Sequence, residues 1–176
     1  MTKKKSKNVV GIDPSLTGLA AYRSSGCYEM GSTKFGDGVH ARRRRLDSLI
    51  EPLIEWLQEE PPDIIVIEAY FAQQRATALR LIELGWQLRH ELSWQFHEAA
   101  IYEVTPATMK KIITGSGNAS KTQVSTTLAT AHGVVLASDN VADALGLLQM
   151  GRMIAGEIKT PKEHAKSLKK ILEASI

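Results

Sequence analysis

The apolar positions of the chain follow two periods. Short unbroken runs, Val9-Val10-Gly11-Ile12 and Ile64-Ile65-Val66-Ile67, have the length and β-branched content of buried strands. Both runs end in an acid, Asp13 and Glu68. Pro14 has no N–H for a ladder, so the first strand, about Asn8 to Asp13, is predicted to stop before it. Ser/Gly turn signals then separate strands at Leu19 to Tyr22 and Cys27 to Lys34, which read as an antiparallel meander. Asp63 to Glu68 and Ala100 to Val104 complete the strands.

Elsewhere the period is helical. Leu46, Leu49, Ile50, Leu53, Ile54 and Leu57 predict a helix over about Val39 to Gln58, stopped by Pro61-Pro62. Its first turn carries arginines, which the helix dipole disfavours. A long helix spans roughly Gln74 to Phe96. Its apolar positions Ala78, Leu79, Leu81, Ile82, Leu84, Gly85, Trp86, Leu88, Leu92 and Phe96 cover more than half its circumference. A helix packed on one sheet needs a stripe only about 100° wide. The surplus predicts a two-fold partner, or burial under the tail of the same chain; on the first reading a charge at Leu88 would weaken a dimer.

Thr105-Pro106 opens a short helix to Ile113. The loop Gly115 to Ala119 leads to Ser120 and Gln123, a capping box for a helix to about His132. A core helix runs from near Asp139 to Gly156. Thr160-Pro161 with Glu163 opens a basic amphipathic helix with Ala165, Leu168, Ile171 and Leu172 on one side. The expected organisation is a flexible basic arm over 1–7, one globular unit over 8–157 and the basic C-terminal helix over 158–176.

Composition narrows the class. An apolar fraction of 43% with 23% charged residues is that of a soluble globular chain of one domain. The single cysteine, Cys27, excludes an internal disulfide and fits a reducing compartment, expected to be the cytoplasm. No apolar run is long enough to span a bilayer, and the lysines of the N-terminus are not followed by a signal-like core. The net charge is +3, but it is clustered in Lys3-Lys4-Lys5 with Lys7, in Arg42 to Arg45, and in Lys159 to Lys170. Clusters of this kind suit a polyanion. Each block taken singly also fits a solvated face.

The acids supply the chemistry. Two lie at strand ends, Asp13 and Glu68, and two at a helix start, Asp139 and Asp143. Strand ends and a helix start can converge at one sheet edge, where several carboxylates repel unless cations neutralise them. Oxygen donors without Cys or paired His point to Mg²⁺ or Mn²⁺. Two such ions about 3.5–4 Å apart can clamp the attacking and leaving oxygens of a phosphodiester.

With these stretches in order, the chain resembles the RuvC-type Holliday junction resolvases of the RNase H-like superfamily. The matching pieces are Gly11-Ile12-Asp13-Pro14, Ile67-Glu68-Ala69-Tyr70-Phe71, the Lys110 helix with Gly115 to Val124, and Ala142-Asp143-Ala144-Leu145. They cover roughly residues 8–155. The resemblance implies an α/β fold with a mixed five-stranded sheet flanked by helices. It also implies a homodimer that nicks four-way DNA junctions in pairs, with two Mg²⁺ per active site and Mn²⁺ able to substitute. Asp13, Glu68 and Asp143 would hold the metal. Lys121 and Lys110 match lysines that matter in the family, and Phe71 matches an aromatic thought to wedge the junction open.

Lys111, Gln74 and Arg75 are further candidate DNA contacts, and Lys121 is placed among the catalytic residues. Two departures stand out. Ser15 replaces a glycine usual after Asp-Pro in bacterial members, as in phage or prophage relatives. Many relatives carry Asp or His where this chain has Asn140, three residues before the last acid. Asp139, one residue earlier, offers a charged oxygen although it also suits the helix cap. The expectation is Asp139 as fourth ligand, with Asn140 donating from behind. The competing readings are a non-catalytic junction-binding protein, an RNase H-like nuclease acting on other branched DNA or RNA–DNA hybrids, and an actin-like or sugar-kinase ATPase. The ATPases need a second lobe for which this chain is too short.

Overall fold

Val9 to Pro14 form the central strand, β1, and the rest of the sheet is built outward from it. β2 (Gly18–Arg23) and β3 (Gly26–Gly31) extend it antiparallel on one side; β4 (Ile64–Glu68) and β5 (Ala100–Val104) extend it parallel on the other. The strand order is β3-β2-β1-β4-β5. In this computed structural model residues 6–15, 18–31, 36, 38–69 and 76–173 are described. Phe71, Gln74 and Arg75 therefore lie outside the described residues.

Alternation divides each strand between two faces. Val10, Ile12, Leu19, Ala21, Ile65 and Ile67 meet α1 (Val39–Glu59) and α2 (Ala76–Gln95). Val9, Ile64, Val66 and Val104 meet the other layer. That layer holds α3 (Pro106–Thr114), α4 (Lys121–His132), α5 (Asp139–Ile154) and, after a 3₁₀ turn at Lys162–His164, α6 (Ala165–Glu173). None of the described helices is long and apolar enough to cross a membrane.

Several expectations are corrected. β1 runs on through Pro14, which pairs with Leu19. Its partnership with β4 closes at Ile12 and Ile67, so the proline extends the ladder only towards β2. β3 is described over Gly26–Gly31, and the rest of the predicted strand, to Lys34, lies outside the described residues. Leu88 is fully buried with Leu84, Leu92 and Phe96 in this chain's own core, so a charge there attacks folding before any interface. The tail does not cover α2: Leu168 and Ile171 of α6 join the opposite core, beside β5. Its inward side is His164, Leu168 and Ile171, whereas Leu172 is exposed. Two of the arginines of α1 have partners, Arg42 with Glu83 of α2 at 3.3 Å and Arg43 with Asp47 at 3.3 Å. Arg42 thereby ties the two outer helices at the surface.

The tightest contact in the fold is between α5 and β1. A Cβ on Gly11 would stand 2.2 Å from the Ala144 carbonyl oxygen and 2.3 Å from the Leu148 nitrogen. Those obstacles are backbone and cannot rotate away. Gly11→Ala is expected to cost about 3 kcal/mol or more, the upper end of overpacking penalties, read as a lowered urea midpoint with an unchanged slope. A variant as stable as the parent would show that α5 is free to lift.

Candidate active site

Asp13 and Glu68 are fixed by sheet register. Ile12 pairs with Ile67, so the next residues, Asp13 and Glu68, sit side by side at the ends of adjacent parallel strands. Both belong to the alternation set that faces α5. The turn after Asp13 is held by Ser15 N–H donating to the Asp13 carbonyl at 3.2 Å and Gly18 N–H donating to the Ser15 carbonyl at 3.3 Å. The end of β4 is held by Ala69 N–H donating to the Val104 carbonyl at 2.8 Å.

Asp143 comes from the second turn of α5, which lies across that edge. It shares the field of the two strand acids. Asp13 is 6% exposed and its pKa is pushed up to about 8, chiefly by burial and then by the charges of Glu68 and Asp143. Glu68 is raised to about 7, again by burial first and Asp143 second. Asp143 is raised as well, mainly by burial. Two lysines oppose these shifts. Lys121, at the start of α4, lowers all three acids; Lys110, on α3, lowers Glu68 and Asp143. Lys121 is aimed by its helix start, where Ser120 and Gln123 form the predicted capping box. Lys111, one residue beyond Lys110, is exposed.

Asp139 stands further out. Its side chain is 55% exposed and lies 3.7 Å from Lys121 Nζ. It is not the helix cap: Ser138 is, its Oγ accepting the Val141 N–H at 3.1 Å. The Asn140 amide nitrogen lies over Gly18, 3.5 Å from where a Cβ would be, and so reaches towards β2.

The donors suit a hard divalent cation by their chemistry: three carboxylates brought together in a crevice of low hydration. Among the described residues no three His, Cys, Asp or Glu stand at ligand spacing.

Three supporting residues escaped the sequence reading. Arg89 of α2 is 15% exposed; it donates to the Glu68 carbonyl at 3.0 Å and pairs with Glu103 of β5. Glu29 of β3 accepts a hydrogen bond from the Ser138 hydroxyl. Ser138 itself was legible as a serine one residue before an acid-rich helix start. Arg89 and Glu29 lack a local signal, because their partners are far away in sequence.

Comparison with known proteins places this geometry. The family model described as "Crossover junction endodeoxyribonuclease RuvC" matches residues 9–155. A crossover junction endodeoxyribonuclease RuvC from Carboxydothermus hydrogenoformans is 32% identical over 122 residues, covering 65% of this chain and 76% of that protein. The RuvC structure from Thermus thermophilus superposes with a TM-score of 0.67 at 18% identity, over 87% of this chain and 97% of that one. The same protein in complex with a Holliday junction substrate gives 0.62 at 18% identity, over 81% and 91%. With the family model spanning both strand acids, the two lysines and Asp143, the chain belongs to the crossover junction endodeoxyribonuclease RuvC family.

Proposed function

We infer that this chain is a metal-dependent endodeoxyribonuclease that resolves four-way DNA junctions by hydrolysis. The observation that carries the reading is the convergence of Asp13, Glu68 and Asp143 with Lys121 and Lys110 at one edge of the sheet. The Thermus relative recorded with a Holliday junction substrate supports the choice of substrate. A purely junction-binding role leaves unexplained why acids that repel both one another and a phosphate backbone are buried where the DNA would lie.

Asp13, Glu68 and Asp143 would hold divalent cations, with Mg²⁺ the expected ion, two per site, and Mn²⁺ able to substitute. Asp139 is the further candidate oxygen donor; its exposed carboxylate lies beside Lys121. When bound, such ions supply the charge that makes water a nucleophile and steadies the departing oxygen. The chain's own residues do the rest. Asp13 and Glu68, fixed by adjacent strands, give the site a rigid floor. Lys121 offsets negative charge building on the scissile phosphate, and Lys110 and Lys111 hold the backbone on either side. Phe71, Gln74 and Arg75, directly after β4, are proposed to meet the crossover, Phe71 by stacking on an unpaired base.

A second copy completes the reading, because two strands must be cut. Leu79 and Trp86 of α2 are each 70% exposed, and Val39 of α1 is exposed beside them. Val39, Leu46 and Trp86 line a groove of about 530 Å³ between the two helices. An apolar stripe on the face away from the acids suits a two-fold partner.

Asp13→Asn and Glu68→Gln are expected to lower Mg²⁺-dependent nicking of a synthetic four-way junction by at least ~10²-fold while the junction still shifts on a native gel. Near-normal cutting by both variants refutes the assignment.

The raised acids also set a pH dependence for the metal-free protein. Burial lets folded Asp13 hold its proton to about pH 8, whereas an exposed aspartate in the unfolded chain loses it near 3.8. Between these values the folded state binds more protons, so stability falls as pH rises and stays low above pH 8. Asp13→Asn removes that loss. Its melting temperature should match the parent near pH 4 and exceed it at pH 8–9, where the parent has lost the proton that burial favours. Equal differences at both pH values would contradict the burial of a titrating acid.

Trp86→Glu should leave the fold intact and reduce the solution mass from near twice 19.3 kDa to the single-chain value, with paired nicks becoming single. Sedimentation of parent and variant decides this; a dimeric variant moves the interface elsewhere.

A further inference from the structure

Cross-strand pairing lines up one row of residues over the sheet. Asp13 pairs with Ala20, and Ala20 with Glu29; on the other side Glu68 pairs with Val104. Neighbours in a row share a face. Glu29, two strands from Asp13 and so about 10 Å away along the row, therefore rises on the face that carries the acids. Between them Ala20 contributes only a methyl group, buried beneath Val141 and Ala144 of α5. Gly18 and Gly11 leave the same face bare on either side. α5 lies in this trough and reaches as far as β3.

The middle and end of α5 are fixed by packing. Its backbone touches β1 at Gly11, and Gly151 fits against Val9 and Val66. The first turn packs through Val141 on Ala20 and is held by hydrogen bonds as well. Ser138 Oγ accepts the Val141 N–H at 3.1 Å, and its hydroxyl hydrogen is donated to the Glu29 carboxylate. A hydroxyl has one proton and two lone pairs, so it serves both partners at once. The carboxylate strengthens the bond by its charge and lies at the positive end of the helix.

We propose that Glu29 is a positioning residue of the active site, acting through Ser138 to pin the first turn of α5 and so to set Asp143 against Asp13 and Glu68. This rests on the reading of Asp143 as a metal-holding acid. On this proposal Glu29 acts through Ser138 and is not counted among the acids that would hold the metal. Its cap also releases Asp139 from the capping duty that its sequence position suggested. Asp139 is left to face Lys121, and the two opposite charges stand at the mouth of the site. Angular error in a helix start is passed to its second turn, and small misplacements of reacting groups are costly.

The test compares Glu29→Ala, Glu29→Gln, Ser138→Ala, the Glu29→Ala/Ser138→Ala pair and Asp143→Asn in the full chain. Mn²⁺ binding is measured by calorimetry without DNA, and amide exchange is followed along α5. Glu29→Ala and Ser138→Ala should each weaken Mn²⁺ by about tenfold, as loss of a ligand's support does. Each should speed exchange at Val141 and Ala142 and leave Leu147 to Met150 protected. Glu29→Gln, whose amide oxygen accepts the same bond, should restore most of the affinity. The double variant should be no worse than the poorer single one. If Asp143→Asn loses Mn²⁺ and Glu29→Ala does not, the latch is wrong and the site reading stands. Glu29→Gln as weak as Glu29→Ala also overturns the latch. If Asp143→Asn binds Mn²⁺ like the parent, the site reading fails and the inference fails with it.

Discussion

Contact of backbone with backbone, where α5 lies on β1 at Gly11, is the constraint on which the site depends. Without a side chain at Gly11, Ala144 and Leu148 descend onto the strand. That descent brings the first turns of α5 level with the row that holds Asp13 and Glu68. A helix on a sheet ordinarily stands off by a layer of side chains, about 10 Å between axis and sheet. Here small residues remove that layer locally. Large ones restore it elsewhere: Leu145, Leu147, Leu148 and Met150 fill the core around the contact. One acid from a helix can thus join two from strands without a loop between them, and a site on regular elements is more rigid than one on loops.

The same closeness creates the tension that gives the site its chemistry. Asp13 is almost wholly buried, and its neighbours are acids. Lys121 and Lys110 offset part of the repulsion, but both strand acids remain raised, Asp13 to about 8 and Glu68 to about 7. A group held protonated near neutrality is a poor ligand until its proton leaves, so cation binding and deprotonation are coupled. The two apolar clusters either side of the sheet supply the stability that offsets the cost of the buried acids.

Most of this architecture was legible wherever period and chemistry agreed. The runs ending in Asp13 and Glu68 marked two buried strands with acids at their ends, and Ser120 with Gln123 marked the start of the helix that carries Lys121. The α1 pattern held through Pro52, which lies inside the helix. Legibility failed where a residue's role is set by a partner far away in sequence. Leu88 and Trp86 both read as surplus apolar surface on α2, yet one is fully buried and the other 70% exposed. Periodicity gives the width of a stripe; which edge the sheet covers depends on tertiary packing. Asp139, expected as fourth ligand, also suited the cap position; Ser138 fills that position, its hydroxyl serving the helix and Glu29 together.

The two faces of the sheet therefore carry different duties, and Arg89 is where they meet. It rises from α2, on the face away from α5, and its guanidinium grips the Glu68 carbonyl and the Glu103 carboxylate. The pair is mostly buried on the arginine side, so breaking it leaves a cation with little water. The Glu68 side chain points to the acids while its main chain is tied to α2. Displacement of α2 along the sheet would thus be felt first at the end of β4, within one residue of the chemistry. An assembly that fixes α2 through its exposed stripe also fixes that strand end. Two copies held this way would present two sites of the same geometry, and cutting both strands of a symmetric junction requires that equivalence.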